Sequence, residues 1–352
     1  MDDRSVRMYN PTHRFDVATE TVQTTEPTIE RSLQFAWGIH EIAIWDDALY
    51  VAQGCSLTGP DLHPAPAHEK RWRFDTDGVV YSSPAVVDGS VFVGSADGHL
   101  YVLDAATGHR QWCFETDGRV GSSPAVVDGT VYVGSFDHHL YAFDATTGHE
   151  QWGVETGGFV DSSPAVMGDT VFVGSADGFV YDLDATTGDT KWTFETAGVV
   201  ESSPTVSDDT VYIGSGDGCV YALDATSGDE TWCFDTGAPV RSSPAVVGDT
   251  VFVTNRDDHL NAIGATTGTE QWTFEVPSNI DGFVEASPVV VDDTVFVGGI
   301  DGTVYGLDAD TGDDRWKFDT GEWIQASPVV VGGTLYVGSE HGTVSALNVS
   351  NG

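Results

Sequence analysis

The sequence predicts an all-β fold made of repeated four-stranded sheets, and three observations support this prediction. First, a Ser-Pro pair recurs about every 40 residues, and a tryptophan recurs with the same spacing. Second, each interval contains short apolar runs separated by Asp-Gly turn sequences. Third, no segment shows helical periodicity or an apolar run long enough to cross a membrane, which excludes alternating βα folds and transmembrane bundles. A period of this size indicates a solenoid or a propeller.

Each interval predicts four strands joined by tight turns. The apolar runs 125–127 and 131–133 flank Asp128 and Gly129, a pair that favours a tight hairpin. In the preceding repeat a second turn at 95–98 and a third at 104–108 separate the later strands, and Gly and Asp supply their conformations. Each repeat is therefore predicted to be a four-stranded antiparallel meander. The repeated pairs begin at Ser83, Ser123, Ser163, Ser203, Ser243, Ser287 and Ser327, and the repeated tryptophans are Trp72, Trp112, Trp152, Trp192, Trp232, Trp272 and Trp316.

A single sheet of this kind cannot bury both of its faces, so its neighbours must cover them. A radial arrangement of sheets around an axis does this for every repeat, and large tryptophan side chains suit the packing between sheets. An open β-solenoid is the alternative, but its rungs are usually shorter and do not contain three successive hairpin turns. The sequence therefore predicts a β-propeller.

The two ends of the chain predict the number of blades. The runs 42–44 and 49–51 resemble the first two strands of a repeat, which adds an eighth unit, although the prolines within 53–70 blur its third strand. The last unit stops at Leu347 and Asn348 without a tryptophan strand, and residues 33–35 have the apolar spacing to complete it. We expect eight blades, with an N-terminal strand closing the last one so that no edge is left open. Residues 32–352 form this single domain, and residues 1–31 are an extension, either an ordered strap or a loose tail.

The composition is strongly acidic. Lys and Arg total 14 against 55 Asp and Glu, which gives a formal charge of −41. Such self-repulsion requires screening, and an acidic, lysine-poor composition resembles that of proteins from extreme halophiles. The alternative is a polyanionic surface for cations or basic partners. Nucleic acid is a poor partner for a field of this sign.

Four cysteines, Cys55, Cys113, Cys219 and Cys233, form no adjacent pair and no CxxC motif, so no disulfide framework is indicated.

The N-terminal segment lacks the apolar core of a secretory signal, which favours the cytoplasm, whereas removal of a leader would place the protein outside it. We expect a monomer without direct membrane insertion.

The string Asp-Ala-Thr-Thr-Gly-x-x-x-Trp occurs at 144–152 and 184–192, with near copies at 104–112, 224–232 and 308–316. It resembles the PQQ-like β-propeller repeat, and the resemblance covers nearly the whole chain. That family includes quinoprotein alcohol dehydrogenases and the lipoprotein propeller of the bacterial outer-membrane assembly machine. The resemblance implies that the repeated Trp and Gly dock neighbouring blades, and it implies the fold more strongly than a cofactor.

Quinoprotein dehydrogenases characteristically have an adjacent Cys-Cys disulfide or a substitute above the quinone, together with a calcium ion and a catalytic Asp. This sequence has no adjacent Cys pair. The conspicuous acids Asp97, Asp137, Asp177, Asp217 and Asp301 recur at one turn position, as structural residues do. No catalytic residue and no cofactor are therefore expected. The alternative is a PQQ-dependent dehydrogenase that binds PQQ and calcium in the axial channel. The sequence has no lipobox Cys after an apolar leader, which counts against the assembly lipoprotein as the matching member of the family.

Positions that vary while their neighbours stay fixed are the candidates for recognition. The first variable column directly precedes the Ser-Ser or Ala-Ser pair of each repeat, and the second lies in the middle hairpin turn. Both should surround one mouth of the axial channel, a usual place for propeller ligands. From these columns and their neighbours we predict a partner-binding set: Tyr81, Asp161, Glu201, Arg241, Asn255, Arg256, Glu285, Gln325 and Glu340.

The blade from Ser242 to Trp272 departs most from its siblings. Arg241 and Arg256 both fall in the variable columns, and paired guanidinium groups suit carboxylate or phosphate, so we hypothesise an anion-recognising patch. The alternative is that both neutralise neighbouring acids such as Asp257, Asp258 and Glu285.

His99, His139 and His259 share a turn position, but three blades do not readily place three imidazoles around one ion, so no metal site is predicted.

Together these features predict a non-catalytic propeller scaffold that recognises a protein partner or a small anionic ligand through one loop face. The binding role follows from analogy of fold.

Overall fold

The computed structural model describes residues 28–34, 39–45, 48–60, 70–277, 284, 286–324, 326–339 and 342–349. Within these residues the chain is all-β, and its 32 strands form eight antiparallel sheets of four strands each. This confirms the predicted fold class and blade count. No helix in the described part of the chain has the length and apolar character needed to cross a membrane.

In chain order the strands are β1 (Thr28–Gln34), β2 (Ile39–Trp45), β3 (Ala48–Gln53), β4 (Ser56–Pro60), β5 (Lys70–Asp75), β6 (Ala85–Val87), β7 (Ser90–Gly94), β8 (His99–Asp104), β9 (Arg110–Glu115), β10 (Ala125–Val127), β11 (Thr130–Gly134), β12 (His139–Asp144), β13 (Glu150–Glu155), β14 (Ala165–Met167), β15 (Thr170–Gly174) and β16 (Phe179–Asp184). They continue with β17 (Thr190–Glu195), β18 (Thr205–Ser207), β19 (Thr210–Gly214), β20 (Cys219–Asp224), β21 (Glu230–Asp235), β22 (Ala245–Val247), β23 (Thr250–Thr254), β24 (His259–Gly264), β25 (Glu270–Glu275), β26 (Val289–Val291), β27 (Thr294–Gly298), β28 (Thr303–Asp308), β29 (Asp314–Asp319), β30 (Val329–Val331), β31 (Thr334–Gly338) and β32 (Thr343–Asn348).

Blade 1 is β2 to β5, and blades 2 to 7 follow as successive groups of four strands. Blade 8 has the order β1-β32-β31-β30, so the N-terminal strand pairs antiparallel with the last strand of the chain. The predicted closure is therefore confirmed, and no blade is left with three strands. Strand β1 begins at Thr28, inside the predicted extension 1–31, and residues 1–27 lie outside the described residues.

The innermost strands close into a ring. Strand β2 contacts both β6 and β30, and each inner strand in between contacts the next one along the chain. The hairpins that connect inner strands to second strands are tight, as the Asp-Gly pairs predicted. Asp128 and Gly129 have φ values of 49° and 78°, the left-handed conformation that a two-residue I′ turn requires at both positions.

The hydrophobic core lies between blades. In one cluster Tyr50, Leu57 and Trp72 of blade 1 pack with Val91, Val93 and Leu103 of blade 2. The Trp72 Nε1–H donates to the carbonyl oxygen of Ala105 at 2.9 Å, which fastens one blade to the next. The same bond recurs from Trp112 to Ala145, Trp152 to Ala185, Trp192 to Ala225, Trp232 to Ala265 and Trp272 to Ala309.

The repeated turn acids are structural. Asp97 Oδ1 accepts the His99 backbone N–H and Oδ2 accepts the Tyr101 hydroxyl, both at 3.0 Å. Asp97 Oδ2 also accepts the Asp77 backbone N–H at 2.9 Å, so the carboxylate ties the turn to the connection from the preceding blade. The hydroxyl bond recurs at Asp137, Asp177, Asp217 and Asp301.

Candidate functional site

The wall of the axial channel carries a belt of serine side chains. We call Ser83, Ser123, Ser163, Ser203, Ser243, Ser287 and Ser327 the serine belt, and all seven line one cavity. The Ser83 backbone N–H donates to the Ser123 hydroxyl at 2.9 Å, and equivalent bonds join 123 to 163, 163 to 203, 243 to 287 and 287 to 327. Each serine precedes a proline at the start of an inner strand, an edge position where a missing N–H is tolerated.

Blade 1 breaks the belt, because Glu41 stands where the other blades have this serine. Aligning residues 42–44 with Pro84, Ala85 and Val86 puts Glu41 opposite Ser83, and both side chains line the cavity. Burial raises the pKa of Glu41 to about 8, although a hydrogen bond from Ser83 lowers it. Sequence analysis missed this residue because blade 1 has no Ser-Pro pair, although the alignment of its apolar runs would have found it.

The cavity has a volume of about 680 Å³ and changes in polarity along its length. Tyr81, Arg119, Gly121 and Asp161 line the end where the chain enters the blades, which we call the mouth. Each belt serine lies two residues after the first variable column, and Glu41 has the equivalent place in blade 1. The remaining wall is apolar and includes Ile42, Ile44, Val86, Val289, Val291, Val329 and Val331.

Three of the predicted residues, Asp161, Glu201 and Arg241, interact at or beside the mouth, and a fourth, Tyr81, lines the same cavity. Arg241 Nε lies 2.6 Å from Glu201 Oε2, an ion pair between the loops that enter blades 6 and 5. Burial raises the pKa of Asp161 to about 6, the charges of Arg119 and Arg241 lower it, and the charge of Glu201 raises it. In the first variable column Tyr81 belongs to blade 2, Gly121 to blade 3 and Asp161 to blade 4. The Tyr81 side chain is 46% exposed. A side chain at Gly121 would collide with the Asp161 carboxylate.

The mouth also contains an aromatic stack that sequence analysis did not single out as a site. The Arg119 guanidinium lies over the Phe136 ring at 3.7 Å from its centroid. Phe136 stacks in turn on Phe159, with ring centroids 4.4 Å apart and planes 5° apart. Arg119 and Phe159 belong to a third variable column, two residues before the first, which also holds the exposed side chains of Val199 and Trp323.

The other predicted residues are placed differently. Asn255 is buried, and its Oδ1 accepts the backbone N–H groups of Asp257 and His259 at 3.1 and 3.0 Å. Its Nδ2 donates to the Thr236 carbonyl at 3.0 Å, so this side chain is engaged within the turn and its surroundings. Arg256 is partly buried in the same turn, and its backbone N–H donates to Pro239 at 2.9 Å. Glu285, Gln325 and Glu340 lie outside the described residues.

The histidines at the turn position bond locally. His99 Nδ1 lies 3.2 Å from Asp97 Oδ1, and His139 and His259 contact the carbonyl oxygens of Asp137 and Asp257. Among the described residues no group of three or more His, Cys, Asp and Glu side chains is placed to hold a metal ion.

Two family models match the chain. One, described as the β-propeller of the beta-alanine-activating enzyme, matches residues 63–280, which is more than half of the sequence. The chain belongs to this β-propeller family. A second model, described as outer membrane protein assembly factor BamB, matches residues 279–352. The resemblance to PQQ-like propellers that the repeat motif indicated is thereby confirmed. No curated protein sequence matches the chain.

Solved structures share the fold of this family member at low sequence identity. BamB from Moraxella catarrhalis is 22% identical, with a TM-score of 0.78 over 93% of this chain and 99% of that chain. The computationally designed protein Ika8 is 18% identical, with a TM-score of 0.78 over 90% of this chain and 98% of that one. Quinohemoprotein alcohol dehydrogenase from Comamonas testosteroni is 18% identical, with a TM-score of 0.77 over 93% and 77%. At these identities the similarity establishes the propeller fold alone.

The charge of the cavity does not suit PQQ. This cofactor is a polycarboxylate, whereas the described cavity wall carries two carboxyl groups, Glu41 and Asp161, against one guanidinium, Arg119. The described residues also offer no cluster for calcium, and the sequence has no adjacent Cys pair. The described side chains at this channel therefore do not fit the quinone and its metal.

Proposed function

We propose that the chain is a non-catalytic recognition scaffold that binds a protein partner through the mouth of its axial channel. The observation that carries this proposal is the joined set of charged side chains at the mouth. Arg119, Asp161, Glu201 and Arg241 come from four successive blades and interact electrostatically, although the repeats around them are nearly identical. Repeated residues serve the repeated fold, so side chains that differ between blades are the ones available for specificity.

The surroundings of this charged set favour a protein over a small anion. Tyr81, Val199 and Trp323 are 46%, 37% and 42% exposed on the same face. Aromatic anchors and arginines around a limited charged centre are typical of protein interfaces. A small anion would have to compete with Glu201 for Arg241, whereas a peptide can bring a cation and an anion together. Similarity to BamB, named as an outer membrane protein assembly factor, also favours a protein partner.

A recognition role also agrees with the chemistry of the repeated acids. The five repeated turn aspartates are engaged within the blades, because their oxygens accept turn N–H groups and tyrosine hydroxyls. The charge of −41 makes nucleic acid an unfavourable partner and favours a partner surface with basic groups.

Affinity capture with paired arginine variants tests the proposal. The tagged full chain is incubated with an extract of the source organism in molar KCl, and bound proteins are identified by mass spectrometry. Arg241→Gln removes the mouth ion pair, whereas Arg315→Gln removes the pair with Asp308 (2.8 Å) at the opposite end of blade 7. We expect the same partner to be retained by wild type and Arg315→Gln and depleted by Arg241→Gln.

Equal retention by both variants would contradict recognition at the mouth. If wild type retains no protein but binds a small polyanion that Arg241→Gln does not bind, the small anionic ligand is favoured instead.

A further inference from the structure

The serine belt and its one exception define a second feature of the channel, below the mouth. Seven blades present a neutral hydroxyl to the axis, and blade 1 presents the carboxyl group of Glu41. The fold does not require a glutamate at this position, because the other seven blades have serine there. Glu41 is therefore a departure from the repeat in the polar zone of the cavity.

The carboxyl group of Glu41 has no cationic partner among the described residues that pack around it. Strands β3, β6, β30 and β31 contact its strand, and their titratable residues are Tyr50 and Tyr336. Ser83 supplies a hydroxyl, and the cation of the described cavity wall, Arg119, is engaged over Phe136. Burial accordingly raises the pKa of Glu41 to about 8. An ionised carboxylate in this place gains from any cation that enters the cavity.

The rest of the cavity determines which kind of cation fits. Hydroxyl oxygens of the belt can accept further N–H groups, and the wall beyond them is built of proline, valine and isoleucine side chains. A cavity of about 680 Å³ accommodates an organic molecule. A hard metal ion needs several oxygen ligands at once, and the described residues provide no cluster of three or more acids, His or Cys.

We propose that the axial cavity binds an organic ammonium compound, with its N–H groups on the Glu41 carboxylate and neighbouring belt hydroxyls and its hydrocarbon part against the apolar wall. This site goes beyond the proposed protein recognition at the mouth, because it lies inside the channel and depends on a different residue.

Calorimetric titration with n-hexylamine tests this site in the full chain. At pH 9 Glu41 is ionised, whereas an alkylamine, whose pKa is about that of lysine at 10.4, is still charged. The matched probes n-hexanol and hexanoate keep the chain length and remove or reverse the charge. We expect hexylamine to bind about tenfold or more tightly than either probe, since a charged hydrogen bond is worth at least that ratio.

Two variants of Glu41 separate the carboxylate from the shape of the cavity. Glu41→Ser reproduces the residue of the other seven blades, and Glu41→Gln keeps the size of the side chain. Both should reduce hexylamine affinity about tenfold or more, whereas Glu195→Gln, an exposed acid on β17, should not. Circular dichroism verifies that each variant is folded.

The proposal is overturned if wild type fails to bind hexylamine, if hexanol or hexanoate binds as tightly, or if folded Glu41→Ser or Glu41→Gln retains wild-type affinity. Because none of these measurements involves a protein partner, their outcome is independent of the capture experiment above.

Discussion

The Nε atom of Arg241 lies 2.6 Å from the Oε2 atom of Glu201, so one ion pair links the loops that enter two neighbouring blades. The corresponding residues of blades 2 and 3 are Tyr81 and Gly121, which cannot form such a pair. Asp161 completes the set on the other side of Glu201, and its pKa responds to both charges. The mouth is therefore electrically asymmetric although the ring that supports it is repetitive.

The first prediction concerns the pKa of Asp161, which is about 6. Arg241→Gln removes a positive charge that favours the ionised carboxylate, so the pKa of Asp161 should rise. Glu201→Gln removes a negative charge and should lower it. Carboxyl-carbon NMR titration of Asp-labelled protein, with Asp161→Asn to assign the signal, measures both changes. Shifts of the same sign in the two variants would contradict this arrangement of charges.

A second prediction tests the tryptophan contact between blades. Gly268 has a φ of +65°, and a Cβ atom there would lie 2.6 Å from Trp232 Cγ. Gly248 has a similar φ of +58° and no neighbouring atom within 4 Å, so it is the matched control for backbone strain. We expect Gly268→Ala to lower the free energy of unfolding by about 1–3 kcal/mol more than Gly248→Ala, because it also overpacks the blade junction. Urea unfolding in molar KCl measures the difference, and equal losses would refute it.

A third prediction concerns Asp182, a buried acid where blades 3, 5 and 6 have Ala142, Ala222 and Ala262. Its Oδ1 makes no hydrogen bond, and burial raises its pKa to about 6 from an ordinary 3.8. The folded state therefore holds this proton more tightly than the unfolded state, and the stabilisation is lost as pH rises from about 3.8 through about 6.

Asp182→Ala should accordingly raise the free energy of unfolding by about 1–3 kcal/mol above pH 6, the cost of an unsatisfied buried polar group. The gain should shrink as pH falls from about 6 towards about 4. Urea unfolding of both proteins between pH 4 and pH 8 measures it, and a gain that is independent of pH would show that Asp182 does not titrate in this window.

The repeated part of the molecule could be predicted from the sequence because local turn chemistry and periodicity act there together. Asp128 and Gly129 specify a hairpin without reference to the rest of the chain, and the bond from Trp72 to Ala105 recurs at five further repeated tryptophans. Closure by β1 could be inferred from the missing strand of the last repeat.

The candidate site could be predicted only in part. The first variable column led to Asp161, Glu201 and Arg241, which the structure brings together. Asn255 also differs from its siblings, but its side chain makes the turn bonds that Ser and Asp make elsewhere, a substitution of equivalent function that a sequence comparison cannot recognise. Arg119 was missed because its importance depends on the cavity that it lines, which no single repeat contains, and Glu41 was missed because blade 1 has no Ser-Pro pair to mark its position.

A fourth prediction concerns the formal charge of −41. Carboxylates spread over every blade repel one another, and raising KCl to about 1 M shortens the Debye length to roughly 3 Å. The thermal unfolding midpoint should therefore rise with KCl concentration and much less with sucrose at equal osmolality. A midpoint that does not depend on KCl would contradict the interpretation of the composition as an adaptation to salt.

Hydrogen–deuterium exchange of the full chain, alone and with its captured partner, tests most directly whether the mouth is the recognition surface. The account predicts slower exchange in the loops that enter the blades, at residues 77–81, 117–121, 157–161, 197–201 and 237–241. Protection confined to the turns at the opposite end, at residues 104–108, 144–148, 184–188, 224–228 and 308–312, would contradict it.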